Sequence, residues 1–134
     1  MPVTMISAGV LGLLLVALAL RISKQRQTAR ISVGDGGDPR MLAAIRAHAN
    51  CAEWAPIGLI LLALAERSLG ATWPVIALAV LLVGARLLHP LGMARPAPNA
   101  PRFLGAVLTY IAVAGLALLV IVAGFPTCTS CSAG

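Results

Sequence analysis

The chain is poor in what a water-soluble domain relies on. Only 10% of its 134 residues are charged, against 60% hydrophobic. So few charges cannot cover that much apolar surface in water, which excludes an ordinary soluble fold. Aromatic residues are equally scarce, at 4%. A net charge of +6 suggests a nucleic-acid partner. Yet the cations have no interleaved aromatics and gather between apolar runs, which excludes that partner and matches the loops of a membrane protein. Cysteine is sparse as well. Cys128 and Cys131, in FPTCTSCSAG, form a CxxC without two further ligands nearby, so no metal site is expected.

What is present is length of apolar run. Four stretches, roughly 2–20, 39–66, 71–94 and 103–125, are each close to the 20 or so residues needed to cross a bilayer. Small residues such as Ala8 and Gly12 suit close helix packing where lipid supplies no hydrophobic drive. The expected fold class is an all-α integral membrane protein, a single four-transmembrane-helix bundle over 1–134 with 126–134 as a short tail. The first run is not read as a signal peptide, because MPVTMIS precedes it while Arg21, Lys24, Arg26 and Arg30 follow it. Loops one and three carry the cations, the latter through Arg95 and Arg102, whereas the ERSLG link carries one charge of each sign. The positive-inside rule then places both termini outside and loops one and three in the cytoplasm.

Loop one, ISVGDGGDPR, matches neither the GxxxxGK[ST] nor the GxGxxG phosphate loop. It reads as a flexible turn ending in Asp38 as N-cap, with Pro39 at the first helical position. The next span then opens on RAHANCAEWAP. Arg46, Asn50 and Glu53 fall on one face at helical spacing, and His48 points to nearly the opposite side. Arg86 and His89 form a second polar stripe near the end of the third span. The outer halves of the helices carry nothing polar of note. A structural network is one reading, with Glu53 pairing Arg86 and Asn50 capping a neighbouring backbone. The excess of arginine favours a pocket instead, for a small polyanion bearing an ammonium group. Cations would hold carboxylates, Glu53 the amine, and Asn50 an amide.

The pattern R-x-x-x-N-x-x-E-x-x-P in RAHANCAEWAP closely resembles the second-helix signature of the membrane-associated proteins in eicosanoid and glutathione metabolism, the MAPEG family. The resemblance extends to the VGDGGDP loop, GARLLHPLGMAR and the final apolar helix, and is nearest to the small bacterial branch. It implies a homotrimer binding glutathione between subunits at the cytoplasmic side, with glutathione as co-substrate and no metal. Arg46, Asn50 and Glu53 match residues that hold the tripeptide, and Trp54 stands where a tyrosine is common. His48 matches a residue facing the adjacent subunit's site, and Arg26 an arginine contributed across the interface. His89 and Met93 also replace tyrosines, while Arg102, or alternatively Arg95, matches the arginine that stabilises the thiolate. The implied activity is that of a glutathione transferase or peroxidase acting on lipophilic electrophiles or lipid hydroperoxides.

Two rivals stand beside it. A small proton-coupled exporter would use Glu53 as its membrane carboxylate, though surrounding cations would repel cationic drugs. A thiol-redox protein facing the periplasm would use Cys128 and Cys131. Cys51, beside Asn50 with no base next to it in sequence, reads as packing.

Overall fold

The computed structural model describes residues 1–95 and 98–125; Cys128 and Cys131, and with them the redox expectation, lie outside the described residues. Four helices follow one another: α1 Pro2–Ala29, α2 Pro39–Leu69, α3 Trp73–Met93 and α4 Ala100–Gly124. All four are long and apolar enough to cross a membrane. An α-helix satisfies every internal backbone group within itself, so it can span hydrocarbon where a loop cannot.

Local sequence sets the boundaries. Asp38 is the N-cap of α2, its carboxylate accepting from Arg40 N at 2.8 Å, with Pro39 following as expected. Asn99 caps α4 in the same way, accepting from Arg102 N at 3.0 Å, so α4 begins a turn earlier than its uncharged stretch. Helix α1 continues past its apolar run, through Arg21 to Ala29, and closes on Arg30 in the left-handed conformation. The ERSLG stretch is mostly helical too, with Gly70 capping α2.

Helices α3 and α4 make the most extensive contact of any pair. Two glycines permit it. A Cβ on Gly105 would lie 2.8 Å from the His89 backbone, and one on Gly92 would collide with the backbone of Arg102. Towards one end, Leu62, Ala65, Val75, Ala79, Leu82, Ala112 and Leu116 join α2, α3 and α4 in a buried cluster. Leu11, Leu18, Ala47, Cys51 and Ala55 join α1 to α2 in another, which makes Cys51 a packing residue.

One expectation is corrected. The end of the bundle away from the basic loops is not free of polar residues, because Glu66 is buried there. Its carboxylate accepts from Val3 N at 3.1 Å, from Thr4 N at 2.7 Å and from Thr4 Oγ1 at 2.7 Å. Those amides belong to the first turn of α1, where no intrahelical acceptor exists. A side chain of α2 thus caps the N-terminus of α1, and a buried carboxylate is satisfied by three donors.

Candidate functional site

The polar residues of α2 sit beside an interruption. Pro56 lies inside α2 and has no N–H to give, so the Ala52 carbonyl loses its usual donor one turn below. On α3, Arg86 is almost completely buried, 1% exposed. Its Nη1 donates to Asn50 Oδ1 at 2.8 Å and to the Asn50 carbonyl at 3.4 Å. Its Nη2 donates to the Gly105 carbonyl at 3.2 Å and to Thr109 Oγ1. The Thr109 hydroxyl in turn donates to the Gly105 carbonyl, 2.6 Å away. One guanidinium therefore ties α3 to both α2 and α4.

Every one of those acceptors is neutral, and Arg86 Nε has no partner among the described residues. The pairing of Glu53 with Arg86, one part of the structural reading, does not form among the described residues: Glu53 is exposed on the single chain, and it is Asn50 that ties the helices through Arg86. A buried guanidinium without a carboxylate keeps a positive field in a low-dielectric setting, where it acts further than in water. Because Oδ1 of Asn50 is engaged by Arg86, the Asn50 amide nitrogen is left as a donor.

Asn50 also lines a cleft of about 440 Å³, with His89, Pro98, Asn99, Arg102, Phe103, Ala106 and Tyr110. The close approach at Gly105 and Gly92 holds His89 and Arg102 at its wall. Trp54 stands behind it, its ring 5.1 Å from that of Tyr110 and inclined by 55°. The cleft thus combines amide and guanidinium donors with an aromatic side. That chemistry suits an anion that carries or meets an apolar group.

Of the residues singled out from sequence, Asn50, His89 and Arg102 line this cleft, Arg86 lies beneath it, and Trp54 backs it. Arg46 and Glu53 are exposed on α2 outside its lining, and His48 is half-buried. Arg26 donates to the Ser32 carbonyl at 3.1 Å and so braces loop one. Arg95 lines a different cleft, with Arg21 and Arg40. Sequence reasoning missed Phe103, Thr109 and Tyr110. The signal available was chemical rather than periodic: Tyr110 is the chain's single tyrosine, next to a hydroxyl in an otherwise apolar run.

Comparison with known proteins agrees with this architecture. The inner membrane protein YecN of Escherichia coli strain K12 is 34% identical over 80 residues, covering 60% of this chain and 61% of YecN. YecN of strain CFT073 matches to the same extent. The chain thus spans about three fifths of the length of these curated relatives. The profile of the MAPEG family matches residues 4–122. Since that match runs from the first turn of α1 into the last turn of α4, the chain belongs to the MAPEG family.

Proposed function

We propose that the protein is a glutathione-dependent transferase or peroxidase of a bacterial inner membrane. In this reading it works as a homotrimer, with both termini outside and its cleft towards the cytoplasm. The observation that carries the reading is a cleft walled by Asn50, His89 and Arg102, with an uncompensated guanidinium, Arg86, beneath it. A site built to balance its own charges would not leave such a field; a site built for an anionic ligand would. Glu53 and Arg46, exposed on one chain, and Arg26 and His48 are assigned to holding the tripeptide where a neighbouring subunit closes over them.

A thiol with a pKa of about 8.5 is a poor nucleophile until it loses its proton. Arg102 supports that loss by stabilising the anion, and Arg86 adds to the same field through Asn50. The thiolate sulfur bonds to an electrophilic carbon delivered from lipid, and the leaving group departs with the bonding pair. With a lipid hydroperoxide, the thiolate attacks the terminal oxygen and the O–O bond breaks. The alkoxide takes a proton to become the alcohol, and the sulfenic acid condenses with a second glutathione, releasing water. The protein contributes position and charge, and no protein nucleophile is needed.

The test is titration of the detergent-purified full chain with glutathione by calorimetry, alongside the thiolate absorbance of the bound ligand. Saturable binding with thiolate present at neutral pH is expected. Absence of both would overturn the reading. Proton-coupled efflux abolished by Glu53→Gln would establish the exporter instead.

A further inference from the structure

The basic end of the bundle carries a second polar region, sharing no residue with the thiol cleft. Two clefts adjoin where α1 leaves its apolar run, α2 begins and α3 ends. One, of about 450 Å³, is lined by Arg21, Gln25, Arg40, Met93 and Arg95 among others. The second, of about 270 Å³, is lined by Arg21, Lys24, Gln25, Asp38 and Arg40 among others. Arg21, Gln25 and Arg40 form the wall between them. Four cations, two from α1, one from α2 and one from the turn after α3, thus face two adjacent hollows. The one acid there, Asp38, is already committed through its carboxylate to the first turn of α2.

Gln25 adds a chemical requirement. Its Oε1 is buried and has no hydrogen-bond partner among the described residues. An acceptor in that position calls for a donor, which a bare phosphodiester or carboxylate cannot supply but a hydroxyl can. The setting is interfacial. Leu13, Val16 and Leu20 on α1 are exposed and apolar just before Arg21, so an acyl chain can lie along α1 while its headgroup meets the arginines.

The geometry points to a binding site for a phospholipid that carries two phosphodiesters joined by a hydroxyl-bearing glycerol, the cardiolipin headgroup. Each phosphate occupies one cleft, with Arg21 and Arg40 between them, Lys24 beside one and Arg95 beside the other. Gln25 lines both clefts, and the central hydroxyl donates to its Oε1 once the amide turns outward from its buried position. Four cations against two phosphates leave the filled site cationic even after Asp38 is counted, so both phosphates are held without repulsion from the protein. The site depends on no property of the thiol cleft and stands whether or not glutathione binds.

The experiment uses delipidated full-length protein and native mass spectrometry, titrating cardiolipin, phosphatidylglycerol, phosphatidylcholine and soluble glycerol 3-phosphate in turn. The expected order is cardiolipin tightest, then phosphatidylglycerol, with the other two weak. Arg21→Gln combined with Arg40→Gln should weaken cardiolipin on the order of tenfold or more, while Arg67→Gln at the opposite end changes nothing. Equal affinity for phosphatidylglycerol would overturn the two-phosphate assignment, equal affinity for glycerol 3-phosphate would overturn a lipid source, and equal affinity for phosphatidylcholine would overturn the site. Unchanged cardiolipin affinity in the folded double variant would overturn it as well. Should that variant not fold, the unsubstituted protein decides: cardiolipin affinity must fall as salt rises, and a flat response overturns the proposal.

Discussion

Arg86 Nη1 and Asn50 Oδ1 meet at 2.8 Å, and this bond joins α3 to α2 beside the cleft. It fixes which way the Asn50 amide faces and leaves the guanidinium charge unneutralised. Asn50→Leu should therefore lower the melting temperature, by an amount corresponding to roughly 1.5–3 kcal/mol for a bond to a charged group. Asn50→Asp separates two effects. It keeps the bond and the fold, but neutralises the field, so melting should be maintained while glutathione affinity falls. Thermal melts and calorimetry on the two variants check this. Retained affinity in Asn50→Asp would show that the field does not matter for binding.

Arg102 and Arg95, seven positions apart, face different clefts, and their variants should differ in kind. Arg102→Gln should cut thiolate formation on bound glutathione by about tenfold or more, since one pKa unit is a tenfold change at fixed pH. Arg95→Gln should leave the thiolate unchanged. Ultraviolet absorbance of the thiolate in each variant decides between them.

Glu53 is exposed and has no ion-pair partner among the described residues, so Glu53→Gln should leave the melting temperature of the ligand-free protein in place. Glutathione binding should weaken by roughly 1.5–3 kcal/mol if the carboxylate holds the ammonium group. Melting the variant with and without glutathione measures both quantities together. A large drop in stability without ligand, with the ligand's stabilisation intact, would refute the binding role.

Glu66→Gln replaces an acceptor oxygen with an amide nitrogen opposite the α1 amides and the Thr4 hydroxyl. The loss should be about 1–3 kcal/mol of stability, the cost of a buried group left unsatisfied, with glutathione binding unaffected. Thr4→Val, which removes one of the three bonds, should lose less. Parallel melts and binding isotherms test this separation.

Gly105→Ala places a methyl 2.8 Å from the His89 backbone, so α4 must move away from α3 at the cleft. The expected penalty is about 1–3 kcal/mol, as for overpacking, together with weakened glutathione binding. Gly84→Ala, where added volume meets nothing within 4 Å, is the control and should melt like the unsubstituted protein.

The four spans and the Asp38 cap were legible because they rest on local signals, namely run length and capping chemistry. Helical periodicity placed Asn50 among the polar residues of α2, but it could not reveal the partner of Arg86. Pairing depends on how helices rotate against one another, and that rotation is set by contacts such as Gly105 on His89, between residues far apart in sequence. Glu66 was misread for a related reason. In ERSLG a glutamate beside an arginine looks like solvated loop, and nothing local announces that its acceptors meet the first turn of a helix some sixty residues earlier.

The Glu66 contact also imposes an order of events on the growing chain. The first turn of α1 is made before α2 exists, so its amide groups must lean on water or headgroups while the ribosome adds the intervening residues. Only when the far end of α2 has crossed the bilayer does the carboxylate arrive beside them. Completion of the hairpin is therefore marked by one event at one edge of the membrane, and a chain stalled before Glu66 holds α1 in place without its latch.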